Sequence, residues 1–97
     1  MRIVYEKSGG FAGLKPARKD IDTAHLPAQD AKELQRLLDA AGFFQLPAKI
    51  DQPQMRDAFQ YTISVDTGSQ KHSVSITGEP QEPSLKELRR RLEKIDG

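Results

Sequence analysis

The chain has 97 residues, 36% of them hydrophobic and 30% charged, and its fifteen basic and fourteen acidic side chains leave a net charge of +1. A chain this long can bury one core and not two, so residues 1–97 are expected to form a single domain. The near balance of charge gives no electrostatic basis for whole-domain binding to nucleic acid or to a membrane surface. The lack of cysteine excludes disulfides, thiolate catalysis and cysteine–zinc sites.

Residues 2–7 carry Ile3, Val4 and Tyr5 and read as a strand. This apolar run is far shorter than a signal-peptide core and is interrupted at Glu6. No stretch approaches the ~20 apolar residues that span a bilayer, so the expected location is the cytoplasm. Ser8, Gly9, Gly10, Phe11, Ala12 and Gly13 follow, a turn or compact loop in which glycine tolerates positive φ. Residues 14–21 can return as a second strand, and Pro16, without an N–H, pushes it to a sheet edge or a bulge.

Leu26 and Pro27 open a helix, since proline suits a first turn whose N–H groups have no intrahelical partner. Asp30 and Glu33 favour its positive end. Leu34, Leu37, Leu38 and Ala41 make one apolar stripe, and Gly42 is placed to end it. Phe43 to Pro47 then leaves the helix to plug one end of the core, and residues 48–57 read as an irregular connection.

Phe59, Tyr61, Ile63 and Val65 alternate with polar residues, as a half-buried strand does. Asp66 to Ser69 supplies turn chemistry, and the alternation resumes at His72, Val74 and Ile76. After a break at residues 78–83, Ser84 and Glu87 have capping-box spacing. Leu85, Leu88, Leu92 and Ile95 then form a second helical stripe. The expected fold is α+β: an antiparallel sheet of about four strands, in the order strand-strand-helix-strand-strand-helix, with two helices on one face.

No catalytic or metal-binding constellation emerges. The glycine loop lacks the Gly-Lys-Ser/Thr ending and the G-x-G-x-x-G spacing of phosphate cradles, and Leu14-Lys15-Pro16 does not start a helix. His25 and His72 have no HExxH or carboxylate cluster beside them; His72 reads as a partly buried histidine bonded to backbone or carboxylate. Ser64, Ser73 and Ser75 alternate along strands without a nucleophile elbow. The charged run Lys86 to Lys94 lacks aromatic residues for stacking on bases and reads as the solvated face of a helix, with Glu87 and Arg91 paired. Binding another protein is the stronger expectation. Phe11 can be an aromatic anchor presented by the glycine loop, or it can fold inwards while the glycines merely turn the chain.

Three segments resemble one family together. They are Ser8 to Gly13 after a short strand, Leu26-Pro27 with Leu34, Leu37 and Phe43-Phe44-Gln45-Leu46-Pro47, and Asp57 to Val65 with His72-Ser73-Val74. The set resembles the emfourins, small bacterial protein inhibitors of protealysin and related thermolysin-like (M4) metalloproteases. The resemblance implies a cytoplasmic non-enzyme without cofactor or metal, a monomer whose partner is an M4 metalloprotease. It would occlude the protease cleft with Ser8, Gly9, Gly10, Phe11, Ala12, Gly13 and Leu14, Phe11 or Leu14 filling the subsite for a bulky apolar residue. The rival expectation is a small adaptor that binds a peptide or domain and inhibits nothing, with the edge strand near Pro16 as its acceptor.

Overall fold

The computed structural model describes residues 1–9, 17–50, 59–78, 80 and 82–95. Their elements are β1 (Arg2–Gly9), β2 (Ala17–Asp22), α1 (Ala28–Ala41), β3 (Lys49–Ile50), β4 (Phe59–Asp66), β5 (Lys71–Thr77) and α2 (Pro83–Lys94), with short 3₁₀ turns at Thr23–His25 and Phe43–Gln45. The sheet has five strands in the order β2-β1-β4-β5-β3. Four of them pair antiparallel, as the hairpin patterns predict. The fifth, β3, adds a two-residue parallel pairing to β5 (Lys49 with Ser75, Ile50 with Ile76) inside the stretch read as irregular.

Period-two alternation decides which side chains enter the core. Ile3 and Tyr5, Ile21, Tyr61, Ile63 and Val65, and Val74 and Ile76 all point to one face and are buried. Leu34, Leu37 and Leu38 of α1 and Leu85, Leu88 and Leu92 of α2 complete the same cluster. The opposite face keeps its polar residues: Ser73 donates to Ser64 at 2.8 Å, Thr62 lies 3.3 Å from Ser75, and Arg2 holds Asp20 through two 2.7 Å hydrogen bonds. A sheet covered by helices on one face is thus the direct result of the sequence pattern.

α1 begins after Pro27 and ends at Gly42, whose φ of 60° is left-handed and whose N–H donates to the Asp39 and Leu38 carbonyls. A side chain there would carry the αL penalty. The chain then turns Phe43 into the core at 1% exposure. Phe44 and His72 pack edge-on against its ring at 5.7 and 5.6 Å. His72 Nε2–H donates to the Leu46 carbonyl at 2.7 Å, so this histidine is a structural tie, as its inward slot suggests.

α2 starts two positions earlier than the Ser84–Glu87 spacing implies. Glu82 is its N-cap, accepting from the Leu85 N–H at 2.8 Å, and Pro83 occupies the first helical turn. Proline's fixed φ and missing donor make it the better start. The Glu87–Arg91 pair does form, at 3.5 Å.

Candidate functional site

Residues 10–16 lie outside the described region, so of the seven expected contact residues only Ser8 and Gly9 are placed. Gly10, Phe11, Ala12, Gly13 and Leu14 are not. The strands fix where that segment departs and returns. Ser8 and Gly9 are the last residues of β1, in register with Gln60 and Phe59 of β4, while Ala17 opens β2 opposite Lys7. β3 also leaves at this end, since Ile50 pairs with Ile76 of β5. Segments 10–16 and 51–58 therefore both start and finish at one end of the sheet. The Asp66–Ser69 turn sits at the other, about 23 Å away over the eight residues of β4, at ~3.3 Å each.

The base of this end is held by a cluster that joins three strands to the last turn of α2. Lys7 Nζ donates to Glu93 Oε1 at 2.9 Å, and Arg89 Nη1 donates to Glu93 Oε2 at 2.5 Å. Lys19 Nζ donates to the main-chain carbonyls of Leu92, at 3.4 Å, and Glu93. The Arg89 guanidinium lies 4.8 Å from the centre of the Tyr61 ring, which stacks 6.2 Å from Tyr5. Hydrogen bonding from Lys7, reinforced by its charge and by Arg89, holds the Glu93 carboxyl below the usual carboxylate range. Burial pushes the Tyr5 phenol up to about 12, with Arg89 as the opposing influence; its hydroxyl has no hydrogen-bond partner of ordinary geometry.

Arg89 corrects the expectation that the α2 charges are all solvated. It is 7% exposed. It stands at i+4 from Leu85 and i−3 from Leu92, on the apolar stripe itself, and that spacing was the available signal. Lys7 and Lys19 were missed in the same way. Each continues the inward alternation of its strand, Lys7 after Ile3 and Tyr5, Lys19 before Ile21.

One other feature carries less chemistry. A groove of about 200 Å³ between the helices is lined by Asp30, Glu33, Leu34, Arg91, Lys94 and Ile95, smaller than ordinary ligand sites of ~300–1,000 Å³. Among the described residues no group of three or more histidine, aspartate or glutamate side chains is arranged to hold a metal ion. No described helix is long and apolar enough to cross a membrane.

The sequence model of the emfourin family matches residues 5–93. The chain belongs to the emfourin family. The match runs from within β1 through residues 10–16 and α1 to the α2 arginines, and so extends beyond the three segments that carry the resemblance. Emfourin membership is consistent with a protease-inhibitor role and with a non-enzyme. No curated protein and no solved structure gives a match.

Proposed function

We propose that this emfourin inhibits a thermolysin-like (M4, protealysin-type) zinc metalloprotease by setting residues 8–14 into its active-site cleft. One observation carries the reading: the family match, over residues 5–93, takes in this segment and β2. Phe11 or Leu14 would fill the apolar subsite beyond the scissile bond. The segment contains no histidine or cysteine, and capture of the zinc would need a carboxylate or a backbone carbonyl, so steric occlusion is the preferred mechanism.

A protease–inhibitor interface buries about 1,600 Å² in total, more than one loop supplies. The strands on either side of residues 51–58, at Ile50 and Phe59, meet them at the same end of the sheet, and these residues are the proposed second contact; the Asp66–Ser69 turn lies at the other end. The inhibitor acts as a cytoplasmic monomer. The adaptor reading is weaker, because β2, although an edge strand, carries Arg18, Lys19, Asp20 and Asp22 in six residues, and charge on an edge discourages strand addition.

Replacing Phe11 by Ala tests the assignment. Inhibition of a thermolysin-like protease should weaken by roughly thirtyfold, the scale of a truncated aromatic anchor. An unchanged inhibition constant with an unchanged circular dichroism spectrum would remove the segment from the contact surface.

A further inference from the structure

α2 carries five basic and two acidic side chains, a local charge of +3 in a chain whose total is +1. The rest of the molecule therefore carries −2. Much of the charge on this helix is answered within the chain. Glu87 pairs with Arg91, and Glu93 takes both Lys7 and Arg89. Among the described residues, Lys86, Arg90 and Lys94 have no ion-pair or hydrogen-bond partner. These three stand at i, i+4 and i+8, on one line down the side of α2 that faces away from Leu85, Leu88 and Leu92. The line is about 12 Å long, at ~1.5 Å per residue. Arg90 and Lys94 are exposed and Lys86 is part-exposed.

Helix energetics do not account for this row. Like charges four residues apart repel, so Lys86 with Arg90, and Arg90 with Lys94, each weaken the helix. Lys86 also stands in the first turn, where the positive end of the helix dipole favours a carboxylate, and beyond the Glu82 cap that turn holds no acidic residue. Lys94, in the last turn, is the member of the row best placed for the dipole. A row kept against local energetics, with no offset inside the chain, marks a surface shaped by a partner. Burial of Leu85, Leu88, Arg89 and Leu92 fixes α2 against the sheet, so the row stands on a rigid support. Glu93 ties the last turn of α2 to Lys7, near the Gly9 end of β1. The row therefore runs along the flank towards the end of the sheet assigned to the protease.

We propose that Lys86, Arg90 and Lys94 form a second docking surface, which receives carboxylates on the protease outside its cleft. The proposal rests on the reading that the partner is a thermolysin-like protease, but not on which residues enter the cleft. Carboxylates are favoured over nucleic acid because α2 holds no aromatic side chain to stack on bases. Charges at the rim of an interface act mainly on encounter. They raise the association rate, the gain falls with salt, and dissociation changes little.

The experiment compares association and dissociation rates against a thermolysin-like protease, over a series of salt concentrations, for wild type and three variants. The first combines Lys86→Gln, Arg90→Gln and Lys94→Gln. The second combines Arg18→Gln, Lys49→Gln and Lys71→Gln, which removes the same charge from exposed positions on three strands. The third is Phe11→Ala. At low salt the α2 triple should associate roughly tenfold more slowly than wild type, with dissociation within about twofold. Its melting temperature should be unchanged or raised, because repulsion within the helix is relieved. At high salt its association rate should converge on that of wild type. The strand triple should stay within about threefold of wild type throughout.

Equal slowing by both triples would mean that net charge alone acts, and would overturn the docking surface. An α2 triple that associates as fast as wild type would overturn it too. If wild type binds duplex DNA or phosphatidylserine vesicles at physiological salt and the α2 triple does not, while both associate with the protease alike, the row serves phosphate and the carboxylate partner is overturned. Phe11→Ala reads the cleft assignment separately. Unchanged inhibition by that variant, beside a slowed α2 triple, would remove residues 8–14 from the cleft and leave the α2 surface standing. No association by wild type would overturn both.

Discussion

Where β4 turns into β5, the chain closes with bonds between near neighbours in sequence. Asp66 accepts from the Gly68 N–H at 2.8 Å, the Gln70 N–H donates to Thr67 Oγ1 at 3.0 Å, and the Thr67 N–H donates to the Gln70 carbonyl at 2.9 Å. On the same side Asp22 caps a 3₁₀ turn by accepting from the Ala24 N–H at 3.0 Å. Beneath them Phe43 plugs the core. The opposite end, which emits segments 10–16 and 51–58, is secured by Lys7, Lys19, Arg89 and Glu93, partners up to 86 residues apart. The first end is a self-contained closure. The second is held from outside its own hairpin, so its geometry can be altered without dismantling the core.

That contrast is sharpened most by Phe43→Ala. Removing a ring that is 1% exposed should cost about 3–5 kcal/mol, measured by urea unfolding, and lower protection throughout the sheet. A loss under about 1 kcal/mol would mean that the turn end is not closed by this plug.

A smaller effect distinguishes the loop end by pH. Glu93 titrates below the usual carboxylate range when folded, so its contribution is present above the unfolded value of about 4.3 and is lost as pH falls through the lower folded value. The carboxylate is part-exposed, which limits the effect to under about 1 kcal/mol. The stability difference between wild type and Glu93→Gln should therefore shrink as pH falls below about 4.3 and vanish only once the folded carboxyl itself is protonated. A difference that persists in acid would place its origin elsewhere than in the carboxylate charge.

The smallest change expected is Tyr5→Phe. The hydroxyl is buried without a well-formed hydrogen bond, so its removal should leave stability within about 1 kcal/mol of wild type or raise it. A loss above about 2 kcal/mol would reveal a partner for that oxygen and redraw the cluster.

Much of this fold was legible because the signals are local. The stripe Leu34, Leu37, Leu38 with Gly42 behind it, and the alternation from Tyr61 to Ile76, each lie within one or two turns or strands. The β3–β5 pairing was not legible. Two residues give no periodicity, and their partners lie 26 residues further on. The N-terminus of α2 was misplaced because Ser84–Glu87 has the right spacing, while Pro83 and Glu82 supply the better start. At the candidate site, Ile3, Val4 and Tyr5 marked the strand, but Ser8 and Gly9, read as loop, are its last two residues, because pairing with Gln60 and Phe59 of β4 carries the strand on. The cluster of Lys7, Lys19, Arg89 and Glu93 escaped notice because residue type marks lysine and arginine as solvated, while their positions on the inward strand face and the helical stripe turn them to the core edge.

The most direct test asks whether this emfourin and a small ligand of the active-site cleft can occupy one thermolysin-like protease together. Titrating the protease with the inhibitor at rising ligand concentrations should show mutual exclusion, the apparent affinity falling in proportion to ligand occupancy. Simultaneous binding of both, or no binding of the inhibitor at all, would contradict occlusion of the cleft.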